Sequence, residues 1–162
     1  MSSQPNDPSP AADRELVLSR VVDAPREKLF DAWTDPKLLP KWFAPAPLTT
    51  EVHELDVRPG GAFRVTMRGP GGEAYPASGV YLEVDRPNRL VTTDAFGPGW
   101  RPSEKAFMTA IITFEDAGPG KTKYTARALH WSAADREAHE KMGFHEGWGQ
   151  CLDQLVALVK KG

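Results

Sequence analysis

The sequence contains a single cysteine, Cys151, among 162 residues. No intrachain disulfide can form, and a reducing compartment is expected. No apolar run approaches the ~20 residues that cross a bilayer. The first residues also lack the basic and apolar segments of a secretion signal, so the expected location is the cytoplasm, away from membranes. Charge of one sign is missing too. Lys and Arg number 20 against 22 Asp and Glu, for a net charge of −2, whereas a nucleic-acid binder normally carries a basic domain or stripe. The chain has no Gly-x-Ser-x-Gly elbow, no P-loop and no Gly-x-Gly-x-x-Gly run, which removes the commonest hydrolase and nucleotide signatures. His139-Glu140 and His145-Glu146 lack a second histidine four residues on, so neither a metal nor a cofactor is expected. Cys151 and His145 lie six apart, about 120° around a helix, which disfavours a thiol–imidazole pair and leaves Cys151 as packing.

What is present describes an ordinary globule. Hydrophobic residues make up 40% and charged residues 26%, and the length suits one domain able to bury roughly 70% of its unfolded surface. The 14 glycines and 15 prolines predict many tight turns. Residues 1–13 are rich in Pro and Ser, with almost nothing apolar to bury, and read as a flexible tail before a single domain over 14–161.

Period and punctuation order that domain. Residues 15–22 (ELVLSRVV) read as a strand. Pro25 and Glu27 then open a short amphipathic helix carrying Leu29, Phe30 and Trp33. Asp35-Pro36 opens a second, which Pro40 should shorten or kink. Strand-like runs follow at 49–57, 62–68, 75–84, 89–96, 105–115 and 122–131, separated by Gly/Pro turn clusters too short for parallel crossovers. Ser132 caps a helix with Asp135 at the capping-box position, and Gly143 interrupts it. Residues 144–161 carry Phe144, Trp148, Cys151, Leu152, Leu155, Val156 and Val159 on one stripe. The class is α+β: an antiparallel sheet with one face to cover, and a long C-terminal helix able to cover it.

Alternation places Phe63, Val65 and Met67 inward, with Met108, Ala110, Ile112, Tyr124, Ala126, Ala128 and His130. The helix offers Gly143, Gly147 and Gly149, each costing about 1 kcal/mol against alanine in a helix interior. Two readings account for them: close approach or a helix break, or small residues on both sides leaving a void for an apolar ligand.

The run Asp23-Ala-Pro-Arg-Glu-Lys-Leu-Phe-Asp-Ala-Trp-Thr-Asp-Pro36 with Lys41-Trp42-Phe43 resembles the opening of the SRPBCC (START-like, helix-grip) superfamily. The branch is the one named for the C-terminal domain of the activator of the ninety-kilodalton heat-shock-protein ATPase. Arg58-Pro-Gly-Gly61, the 79–90 segment and the tail from Met142 to Leu155 continue the resemblance, which spans 14–160. It implies a curved seven-stranded antiparallel sheet wrapped around the C-terminal helix, two short helices after the first strand, and a cavity between sheet and helix. Relatives bind lipids, hormones or polyketides, cyclise polyketides, or regulate a chaperone, so the fold does not fix the function.

The expected function is therefore binding of a small, largely apolar molecule. Its walls would be Trp42, Phe63, Met67, Tyr81, Trp100, Met108, His130, His145, Trp148 and Leu152. Each histidine has a bland reading as a structural or rim residue. Trp100, in a glycine-flanked loop, reads equally as a lid or as an anchor on the core. The enzymatic alternative is cyclase- or hydrolase-like acid–base chemistry by Tyr81, Glu83 or a histidine, with Tyr75, Tyr81 and Glu83 on one strand face if no bulge intervenes. The third reading, ranked lower, is a chaperone partner acting through its surface. Exposed sheet edges would also let the chain form a homodimer.

Overall fold

The computed structural model describes residues 12–161. The expected tail lies outside them except for Ala12 and Asp13, which form a 3-10 turn with Arg14. Strand β1 (Glu15–Val22) leads into helix α1 (Arg26–Thr34), with Pro25 at the N-cap and Leu29, Phe30, Ala32 and Trp33 buried. Pro40 has the expected effect: the second helix is only a 3-10 turn over Leu39–Lys41. Strands β2 (Thr49–Leu55), β3 (Ala62–Arg68), β4 (Ala74–Asp85) and β5 (Arg89–Thr93) follow as a meander. A small hairpin of β6 (Phe96–Gly97) and β7 (Arg101–Pro102) stands apart from the main sheet, where the sequence pattern gave a continuous strand to residue 96. Strands β8 (Met108–Asp116) and β9 (Thr122–His130), then helices α2 (Ala133–Lys141) and α3 (Phe144–Lys161), complete the chain.

The main sheet has seven strands in the order β1-β9-β8-β5-β4-β3-β2, with every pair antiparallel. This is the helix-grip arrangement. Its buried core joins the inner faces of β1, β8 and β9 to α1 and α3 through Leu16, Leu18, Ile112, Phe114, Ala126, Ala128, Leu152 and Leu155. The outer face is buried along the row Ala62, Val80 and Thr93 and elsewhere carries cross-strand ion pairs such as Arg68–Glu51 at 2.9 Å and Arg89–Glu83 at 3.0 Å. Pairs this exposed contribute little to stability.

Two details position the interior. Strand β4 bulges between Tyr81 and Glu83, so Tyr81 stays inward while Glu83 turns outward to Arg89. Tyr75 sits exposed near the start of the same strand. The single face expected for Tyr75, Tyr81 and Glu83 is thus split, because one extra residue reverses every side chain beyond it. The segment after α1 is stitched to α3 by Gln154, whose Nε2 donates to the carbonyls of Trp42 (2.9 Å) and Ala44 (2.8 Å). This fixes Phe43 against the helix.

Candidate functional site

Antiparallel pairing aligns the inward residues in rows across the sheet. One row runs Tyr81, Thr92, Ala110, Ala128 and Leu16. The neighbouring row toward α2 contains Met108 paired with His130, and Phe63 paired with Gly79. On the β1–β9 side these rows are closed, with Ala128 fully buried. In the middle they are not. Thr92 and Met108 remain half-buried, although each lies on a central strand and faces inward. Phe43, after the 3-10 turn, and Trp148, on α3, are half-buried as well. A side-chain carbon added at Gly147 would meet nothing within 4 Å. Inward residues at this end of the sheet and at the start of α3 are therefore only half-buried, whereas Leu152 and Leu155 further along α3 are fully buried.

The surroundings of Phe63 are aromatic. Phe43 packs on Phe63 (5.8 Å) and Phe63 on Tyr81 (5.9 Å, edge to face), an arrangement suited to ring quadrupoles. Tyr81 is completely buried, and among the described residues its hydroxyl has no hydrogen-bond partner. Burial, with the Asp56 carboxylate adding to it, pushes the phenol well above its usual pKa, so it stays neutral. The charged residues on the inner register are already engaged. Asp94 accepts from the amides of Phe107 (2.9 Å) and Met108 (3.1 Å), and Arg20 pairs with Asp153 at 2.9 Å.

The polar feature that sequence reasoning missed is a histidine pair. His130 Nδ1 lies 2.7 Å from the Arg14 carbonyl, so it donates, and its Nε2, at 2.8 Å, must accept from His139 Nδ1. Phe107, Phe144 and Trp148 surround His139. Burial first, and the neighbouring His130 second, lower its pKa from 6.5 to about 4. The nine-residue separation of these histidines matches no motif, and only the turn from β9 into α2 brings them together. Cys151 is packing, as expected: Sγ donates to the Phe43 carbonyl at 3.3 Å, and burial raises the thiol to about 12.

The ten expected wall residues separate into groups. Phe63, Tyr81 and Met108 lie on the inner register of the sheet, Trp148 is half-buried on α3, and Leu152 is fully buried on the same helix. Trp42 lies deeper: its Nε1 donates to the Ala32 carbonyl (3.0 Å) and its ring packs on Trp33 (5.0 Å), so it is core. His130 is committed to the histidine pair. His145 is exposed, with Nε2 3.9 Å from Glu140, and Met67 lies opposite Thr50 and Tyr75 at the far end of β3. Trp100 is 52% exposed and packs over Gly60 and against Phe96, which makes it an anchored loop residue. Glu83, on the outer face, is removed from any interior acid–base set.

The three glycines also separate. Gly143, at φ +98°, ends α2, and a side chain at Gly149 would meet the Arg20 guanidinium at 2.6 Å; both serve geometry. A carbon added at Gly143 or at Gly147 would meet nothing within 4 Å, and of these two only Gly147 lies inside α3. Two surface concavities, of about 510 and 360 Å³, lie at the opposite end of the sheet around Arg26 and Asp116, and neither lies between sheet and helix. Among the described residues no cluster of three metal-ligating side chains occurs, and no helix is long and apolar enough to cross a membrane.

Comparison with known proteins agrees with this architecture. A protein of Nitrosomonas europaea solved by X-ray crystallography is 40% identical, covers 93% of this chain and 96% of its own, and superposes with a TM-score of 0.87. A crystal structure from Mycobacterium smegmatis is 26% identical over 92% of each chain, with a TM-score of 0.76. The solution structure of an AHSA1-like protein from Aeromonas hydrophila, 20% identical over 90% and 93% of the two chains, shares the fold at a TM-score of 0.63. No curated protein matches. The family model described as "Activator of Hsp90 ATPase homolog 1-like protein" matches residues 23–160. That match runs from the turn before α1 to the last turn of α3, and the chain belongs to the Activator of Hsp90 ATPase homolog 1-like family.

Proposed function

We propose that this protein binds a small, largely apolar molecule between the sheet and the first turns of α3. The observation that carries the reading is that Thr92 and Met108, inward on central strands, stay half-buried, together with the absence of any neighbour within 4 Å of a side-chain carbon added at Gly147 in α3. Central strands under a helix normally close completely, since unfilled space forfeits dispersion contacts. Here the space is bordered by Phe43, Phe63 and Trp148, which offer a ligand apolar and aromatic surface. Family membership supports the reading without specifying a ligand.

Titration with N-phenyl-1-naphthylamine, a neutral dye that brightens in dry surroundings, tests the proposal. The native protein should show saturable one-to-one binding. Gly147→Leu, which places a side chain in the open space, should weaken it at least tenfold while leaving the circular dichroism unchanged. Absence of saturable binding, or equal affinity in the variant, would refute the reading.

A further inference from the structure

Resting on that reading, we propose that the Tyr81 hydroxyl is the polar anchor of the site, and that the ligand is an uncharged ring compound bearing one hydrogen-bonding oxygen. Tyr81 is fully buried on the inner face, in the same row as half-buried Thr92, with its ring edge-to-face on Phe63. Most other buried polar groups in the interior are paired: Trp33 Nε1 donates to the Tyr124 hydroxyl at 3.0 Å, Trp42 Nε1 to Ala32, and Thr122 Oγ1 to the Ala24 carbonyl at 2.7 Å, while among the described residues Thr50 Oγ1, across from Met67 at the far end of the sheet, also lacks a partner. Against that background Tyr81 stands out, because among the described residues its hydroxyl meets no partner. A buried phenol left without a hydrogen bond costs stability, and phenylalanine would fill the same volume without the penalty. A group that weakens the free fold beside the aromatic residues of the proposed site is explained if a ligand satisfies it.

The ligand class follows from the surroundings. Aromatic edges at Phe43, Phe63 and Trp148 suit a flat ring system. The inward charged residues are occupied, Asp94 by two backbone amides and Arg20 by Asp153, so a carboxylate or ammonium would enter without a counter-charge. One oxygen, as a phenol, alcohol or ketone, is what a neutral tyrosine hydroxyl can match.

The experiment compares naphthalene, 1-naphthol and 1-naphthoate as quenchers of tryptophan fluorescence in the native protein and in Tyr81→Phe. The native protein should prefer 1-naphthol to naphthalene about tenfold, the value of one net hydrogen bond, and should reject 1-naphthoate. Tyr81→Phe should abolish the preference, keep naphthalene affinity within about twofold, and raise the thermal midpoint of the free protein. If naphthalene binds but 1-naphthol has no advantage, or the advantage survives in Tyr81→Phe, the anchor is wrong and the apolar site stands. A lowered midpoint in the variant would show that the hydroxyl is satisfied within the fold, which also overturns the anchor. Should none of the three probes bind, the apolar site fails and the anchor fails with it.

Discussion

Cys151 shows how a residue's chemistry depends on what surrounds it. Its thiol hydrogen-bonds the Phe43 carbonyl, and burial holds its pKa near 12. The thiolate is the reactive species, so the native protein should react with 5,5′-dithiobis(2-nitrobenzoate) at pH 8 roughly a hundredfold or more slowly than the same chain in guanidinium. Rapid stoichiometric labelling of the native state would show that the helix–sheet space admits polar reagents. Its packing role was legible in the sequence, since a lone cysteine on an apolar stripe has no partner to activate it. Tyr81 was legible only as a candidate. Its separation from Glu83 depends on the bulge between them, and nothing in the 75–84 run marks where a strand takes an extra residue.

Among the elements, α2 and α3 are the most informative. Ser132 Oγ accepts from the Asp135 amide at 3.1 Å, the cap that the sequence pattern indicated. Removing it in Ser132→Ala should cost about 1 kcal/mol, whereas Gly147→Ala should gain up to about 1 kcal/mol, because a methyl there meets nothing and alanine favours the helix. Urea denaturation measures both, and a destabilised Gly147→Ala would mean that the position is not open. Helices and strands were readable because their periods of 3.6 and 2 are written in neighbouring residues. The β6–β7 hairpin was not, since two-residue strands carry no period at all. Of the three glycines, the sequence could offer two roles but could not distribute them. That required Arg20, more than a hundred residues away, to appear beside Gly149.

Across the whole molecule, the histidine pair ties the start of the described chain to its C-terminal helices: His130 holds the Arg14 carbonyl, His139 holds His130, and Phe144 and Trp148 pack on His139. Because His139 has a folded pKa near 4 against 6.5 when unfolded, the unfolded chain takes up the proton first as pH falls. Its contribution is intact above about pH 6.5 and declines as pH drops toward 4, by roughly 2–3 kcal/mol at pH 4.5. Urea midpoints at pH 7.5 and 4.5 should therefore separate more for the native protein than for His139→Gln, and equal separations would disprove this role. The sequence by itself determined the α+β class, the seven strands with their inward sets, the shortened second helix and the C-terminal stripe, because each follows from spacing within a few residues. Only the tertiary structure decided that Tyr81 and Glu83 face opposite ways, that His130 and His139 meet, and that Gly149 backs onto Arg20 while a side chain at Gly147 would meet nothing. Those outcomes depend on register, turn geometry and contacts between segments far apart in the chain, which local pattern does not encode.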